Sequence, residues 1–356
     1  MPNFLWFSWG KDKRPQPFKL IEQIPSPDFI QILEEYKNFR IKNKEKLALV
    51  LPGGGSLGRR QFFFVYWLYK IGVLKYVDMI CGTSVGGLNT LLIAKYKDNL
   101  EEAANIWNNI LLNSDIYSGM LQFKNLGDWL GMASQIFKDN KGNCILNKDG
   151  LKKLVVKHFD GIKLGDLKTE IVLTTTDIIN GEMVVINSKE NPGFPADKMA
   201  LLTSAIPIIF EAEDFEFKSL KRLGVDGGVG RNNPVELAIK YGATKIILVG
   251  TSPNTIPQKI LTHNIGDIAG RLETVIMHIF EEFAWDEIED YKLLHKLNPD
   301  IYPSIEILDW YPSEDDMKIE NEVNALDFTA ITTAQKGYDA AVNFITPEKL
   351  RNFLLE

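Results

Sequence analysis

Val77-Asp78-Met79-Ile80-Cys81-Gly82-Thr83-Ser84-Val85-Gly86-Gly87, continued by Leu88-Asn89-Thr90-Leu91-Leu92-Ile93-Ala94, decides the fold. Residues 77–81 are short and apolar, as expected of a strand buried on both faces, and the apolar run from 88 to 94 has helical length and composition. The glycines between them leave room only for a tight turn. Upstream the order repeats: Leu47-Ala48-Leu49-Val50-Leu51 reads as a buried strand, glycines follow, and a helix is expected from about Arg60 to Lys70. Downstream, strands are expected at Glu170–Thr174, Met183–Ile186 and Lys245–Val249, the last reached through a helix around Leu237-Ala238-Ile239. Ile305 to Leu308 reads as a final strand, with closing helices after Asp327. Strands alternating with helices predict an α/β fold, a mostly parallel central sheet flanked by helices on both faces.

Three parts are expected along the chain. Residues 1–45 form an N-terminal extension, carrying Pro15, Pro17, Pro25 and Pro27 before a helical pattern from Phe29 to Phe39. Residues 46–250 form the core, with a helical cap at 100–160 rich in apolar side chains, its segment 119–137 reading as a lid or interfacial surface. Residues 251–356 complete the same domain. Within them Ile265, Ile268, Leu272, Val275, Ile279 and Phe283 recur at three and four, an amphipathic helix expected to pack on the sheet.

With 45% apolar and 24% charged residues the chain can bury a large core, and its net charge of −7 argues against nucleic-acid binding. Cys81 and Cys144 provide neither a disulfide framework nor a zinc cluster, and fit a reducing compartment. No run of 18 apolar residues is present, and the N-terminal Phe4, Leu5, Trp6, Phe7 and Trp9 precede rather than follow their basic cluster, unlike a signal peptide. Those aromatics either pack on the domain or dip into a membrane interface. The expectation is a cytoplasmic protein that associates peripherally with membranes.

Gly53-Gly54-Gly55-Ser56-Leu57-Gly58 satisfies G-x-G-x-x-G between strand and helix, the dinucleotide fingerprint. That fingerprint requires an acid closing the second strand; Asp78, twenty residues past Gly58, opens it instead. A glycine loop before a helix also presents backbone N–H groups to any anion, a tetrahedral oxyanion included. Gly82-Thr83-Ser84-Val85-Gly86 matches G-x-S-x-G in the strand–turn–helix setting that exposes a nucleophilic serine. Serine needs a base. Of the four histidines, His278 and His295 fall in the long helix and His263 alone lies in loop-like sequence. The stronger candidate is Asp226 in Leu223-Gly224-Val225-Asp226-Gly227-Gly228, a carboxylate that a dry pocket would make more basic.

These motifs, in this order, resemble the patatin-like phospholipases, as do Thr203-Ser204-Ala205-Ile206-Pro207, Thr175-Thr176-Asp177 with Gly181-Glu182, and Asn233-Pro234. The resemblance covers roughly residues 46–250 and implies a Ser84–Asp226 dyad without histidine, cleaving fatty-acyl esters through an acyl-enzyme. It implies an oxyanion hole from Gly53, Gly54, Gly55 and Ser56, an elbow shaped by Gly82 and Gly86, and no metal or cofactor. The substrate implied is a phospholipid or neutral lipid at a membrane surface, and a homo-oligomer or activating partner stays open. Leu57 stands where the family commonly carries Arg or Lys, so Arg59 and Arg60 are expected to supply substrate-binding charge. A thioesterase or acyltransferase on the same dyad, and a non-catalytic membrane- or partner-binding module, are the alternative readings.

Overall fold

The computed structural model describes residues 14–118, 144, 146–207, 209–254, 265–313 and 326–356, with backbone alone at 265–278, 280 and 281. The N-terminal aromatics, the apolar segment 119–137 and His263 therefore lie outside the described residues.

The central sheet grows from β1 (Leu47–Leu51), whose five residues are all buried. Side chains alternate across a strand, so Leu47, Leu49 and Leu51 enter one core while Ala48 and Val50 enter a second on the opposite face. A strand wetted on neither side has no use for polar positions, hence the unbroken apolar run. β1 pairs in parallel with β2 (Met79–Gly82) and β7 (Lys245–Val249). The parallel set extends to β3 (Glu170–Asp177) beside β2 and to β8 (Glu306–Trp310) beside β7.

Helices cover both faces. The first core takes α1 (Asp28–Asn43), α2 (Gly58–Lys70), α3 (Val85–Lys95), α4 (Leu100–Asn109), α5 (Asp149–Phe159) and α6 (Ala196–Thr203). The second takes α7 (Val235–Lys240) and the 33-residue α8 (Ile265–Leu297), and α9 (Thr333–Phe344) and α10 (Pro347–Leu355) return to the first. α2 is buried all round, from Phe62 through Leu68. It needs a close-fitting cover, and α9 provides one: a Cβ at Gly337 would lie 2.1 Å from the Arg60 carbonyl oxygen.

The sheet is thus mostly parallel, with antiparallel strands joining it at β3. β5 (Glu213–Phe217) and β6 (Leu220–Asp226) form a hairpin antiparallel to β3, and β4 (Glu182–Asn187) is antiparallel to β3 on its other edge. β4 opposes residues 172–177 of β3, overlapping the stretches paired with β2 (170–173) and with β6 (175–177). A strand has two edges, so β2 and β6 share one. They run toward each other along it, and their C-terminal ends meet, Gly82 opposite Leu173 and Asp226 opposite Thr175.

One packing expectation is corrected. Where side chains of the α8 stripe are described, Ile279 and Phe283 face outward, Phe283 59% exposed, while the helix docks through Ala284 and Ile288. Periodicity locates an apolar stripe; it does not say which side of the helix the sheet takes.

Candidate active site

The head-on meeting of β2 and β6 brings Ser84 and Asp226 together although they are 142 positions apart in sequence. Ser84 follows β2 at the turn into α3 with φ 55° and ψ −129°, a backbone that L-residues adopt only at a cost of about 1–3 kcal/mol. The neighbouring glycines make the turn sterically possible. A Cβ at Gly86 would sit 1.9 Å from the Leu51 carbonyl oxygen, and one at Gly82 would meet Thr90 Oγ1 at 2.3 Å. The Ser84 N–H donates to Thr203 Oγ1 at 3.0 Å, which pins the strained residue at the end of α6.

Ser84 Oγ donates to Asp226 Oδ2 at 2.6 Å. The other carboxylate oxygen, Oδ1, accepts from the Gly228 N–H at 2.7 Å, and the Asp226 N–H donates to the Ala205 carbonyl at 2.8 Å. Asp226 is only 5% exposed. Burial pushes its carboxyl up to about 6, although the hydrogen bonds from Ser84 and Gly228 pull it down. Thr203 and Ala205 therefore each hold one member of the pair, a role that the sequence reading did not assign to this small-residue segment. Only the small Ser204 and Ala205 just past α6 could have signalled it.

The glycine loop lies beside the pair, with one revision. The Gly53 N–H donates to the Asn232 carbonyl at 3.3 Å, so Gly53 is committed to the loop after Asp226 and drops out of the expected oxyanion donors. It stays essential for fit, since a Cβ there would come 2.8 Å from Ser84 Cβ. Gly54 and Gly55 N–H donate to nothing among the described residues, and Gly55, at φ 56°, begins a single 3-10 turn with Ser56 and Leu57.

Arg59 and Arg60 do not reach substrate. They are 2% and 1% exposed. Arg59 donates to the Ile110 and Phe328 carbonyls and lies over the Trp107 ring, ordering main chain from two segments. A helix buried on every side turns its arginines inward with the rest. Asp78 accepts from Arg40 and from the Leu47 N–H, which accounts for the acid that imitated a ribose ligand. Among the described residues no histidine hydrogen-bonds to Ser84 or Asp226; His295 contacts the Tyr302 carbonyl at 2.6 Å, and His158 Nδ1 lies 3.0 Å from the Tyr96 hydroxyl.

Ser84 opens into an almost wholly apolar cavity. Gly55, Val85, Leu88 and Leu92 line one side, Ile106, Trp107 and Ile110 another, and Leu151, Leu154, Val155, His158 and Phe159 of α5 a third, with Ile116, Ile206, Phe210, Leu326 and Phe328 completing the wall. Such a lining favours hydrocarbon over any polar group by roughly 25 cal/mol per Å² covered.

Residues 49–239, more than half of the chain, match the family model described as patatin-like phospholipase. The chain belongs to the patatin-like phospholipase family. Among similar proteins, a cGAMP-activated phospholipase of Pseudomonas aeruginosa is 26% identical over 203 residues, 52% of this chain and 54% of that one. Patatin-like protein 2 of Arabidopsis thaliana is 31% identical over 191 residues, 46% of this chain and 42% of its own length. A probable lipid hydrolase, 463L, of Invertebrate iridescent virus 6 is 27% identical over 250 residues, 65% and 80% of the two chains. The match thus spans about half the length of the first two. Among solved structures, VipD from Legionella pneumophila aligns over 87% of this chain and 67% of its own with 13% identity and a TM-score of 0.43. Among the described residues no helix is long and apolar enough to cross a membrane.

Proposed function

We propose that the chain is a lipid acyl hydrolase of the phospholipase A type, working through Ser84 and Asp226. The observation that carries this reading is the 2.6 Å contact between the Ser84 hydroxyl and a buried carboxylate whose basicity burial has raised.

In this mechanism Asp226 Oδ2 takes the Ser84 proton as Oγ bonds to the ester carbonyl carbon. The carbonyl oxygen gains the negative charge, and the N–H groups of Gly54 and Gly55 face it, joined by Val85 at the first turn of α3 and by the Ser56 turn behind. Collapse of the tetrahedral species breaks the ester C–O bond, and Asp226 returns the proton to the departing alcohol, a lysolipid. Water then attacks the acyl-enzyme, giving one proton to Asp226 and releasing the fatty acid. The same proton returns to Ser84 Oγ. The apolar cavity holds the acyl chain throughout, while the headgroup stays at the membrane surface. The Pseudomonas and viral relatives, named as a phospholipase and a lipid hydrolase, support this substrate class.

The test is fatty-acid release from phosphatidylcholine vesicles containing anionic phospholipid, comparing wild type with Ser84→Ala and Asp226→Asn. Both variants are expected to remain folded and lose nearly all turnover. Retention of most activity in Asp226→Asn would remove the carboxylate from the mechanism.

A further inference from the structure

We propose that the cavity is an acyl-chain ruler, closed at its far end by the His158–Tyr96 pair and matched to saturated chains of about 14 carbons. This rests on the reading of Ser84 as nucleophile.

The axis of the cavity is set by α3. Ser84 caps its N-terminus, Leu88 and Leu92 line the cavity from successive turns, and Tyr96 caps its C-terminus. Twelve residues at about 1.5 Å each put Tyr96 about 18 Å beyond Ser84. α5 runs alongside in the same direction: Leu151, near the start, donates its N–H to the Ile116 carbonyl, while His158, near the end, meets the Tyr96 hydroxyl at 3.0 Å. Leu154 and Val155 line the cavity between, and Phe159 lines it beside His158.

At His158 the lining changes character. Its ring engages Tyr96, its carbonyl accepts from Lys95 Nζ, and Lys95 lies over the Phe159 ring at 5.5 Å. A methyl terminus reaching this point meets the His158 ring, the polar side chain at this end of the lining, held by Tyr96 from outside the cavity. An extended alkyl chain advances about 1.25 Å per carbon, from C–C bonds of about 1.5 Å, so 18 Å accommodates about 14 carbons. Each methylene buried short of that point raises kcat/KM by about fourfold, and those beyond it add nothing.

The experiment measures kcat/KM for p-nitrophenyl esters of saturated acids from C6 to C20, dispersed in nonionic detergent, with wild type, His158→Ala and Leu92→Trp. Wild type is expected to rise to about C14 and then level off. His158→Ala moves the break to longer chains, and Leu92→Trp, which blocks the cavity two turns from Ser84, moves it to about C8. A separate titration of free C8–C20 fatty acids into Ser84→Ala reads the same break as binding, independent of turnover. A break unmoved by both substitutions, or affinity rising smoothly to C20, overturns the ruler while leaving the dyad standing. Absence of ester cleavage together with a C14 break in binding overturns the hydrolase reading and keeps the ruler.

Discussion

Asp226 is held in a state that costs stability and provides basicity. Its carboxyl titrates near 6 in the fold, above the ordinary value near 4, so the fold favours the protonated form. That preference is fully present below about pH 4 and is lost as the pH rises through 6. Asp226→Asn, which keeps the shape and the acceptor for Gly228 but cannot ionise, is therefore expected to gain on the order of 2–3 kcal/mol relative to wild type between pH 4 and pH 8, measured by urea unfolding at both. The same substitution should lower acyl release by about 10³- to 10⁴-fold. Activity of wild type should fall about tenfold per pH unit below 6, because in the proposed mechanism only the ionised carboxylate accepts the Ser84 proton. Thr203 acts through Ser84: Thr203→Val removes the acceptor of the Ser84 N–H and should lower kcat more than it raises KM, whereas Thr203→Ser, which keeps the hydroxyl, restores kcat. Ser84 and Asp226 were legible in the sequence because each sits among glycines that a strained turn requires. Thr203 was not, since a threonine ending a helix carries no mark of the residue it will meet 119 positions away.

Elements were legible to the degree that both their faces are buried. β1, β2 and β7 read directly as apolar runs, and the sheet's parallel half followed from their alternation with helices. β5 and β6 were missed because they carry Glu213, Asp214 and Glu216, then Lys221 and Arg222, and present only one side to the core. Yet this hairpin delivers Asp226, so the least legible strands determine where the proposed base arrives. Arg222 of β6 donates to the buried Asp177 at 2.8 Å and ties the hairpin to the end of β3. The elbow itself depends on α3 touching β1: Gly86→Ala would drive a methyl into the Leu51 carbonyl. A destabilisation of at least about 3 kcal/mol is expected, read as a lower denaturant midpoint, with acyl release lost as the turn moves off Asp226.

On the scale of the molecule, two sets of carboxyls pull stability in opposite directions with pH. For Glu170, Asp177 and Glu213 burial opposes ionisation, but their hydrogen bonds outweigh it: Lys189, Asn187 and Lys46 on the first, Asn180, Ile179 and Arg222 on the second, Lys148 and Lys198 on the third. Held below the ordinary range, they contribute stability above about pH 4 that is lost on acidification. Asp226 and Glu236 are the reverse. Burial pushes Glu236 up to about 7 despite Arg231 at 3.4 Å, with Glu287 across that arginine adding to the rise. Arg231 leaves the loop that carries Asp226, so this cluster joins the proposed site to α7 and α8 on the other face of the sheet. Melting temperature should therefore climb from pH 3 to about 4.5, then decline to about pH 7, where both buried carboxyls are ionised in the fold as well as in the unfolded chain, and level off above. The proposed mechanism needs Asp226 ionised, so the pH of greatest turnover should lie above the pH of greatest stability. Calorimetric scans across pH 3–9 check this: Glu236→Gln should flatten part of the decline above about pH 4.5 and Asp226→Asn the rest, the two effects adding because the groups share no partner. A melting temperature that keeps rising to pH 8 in wild type would mean that neither carboxyl is held as its burial implies.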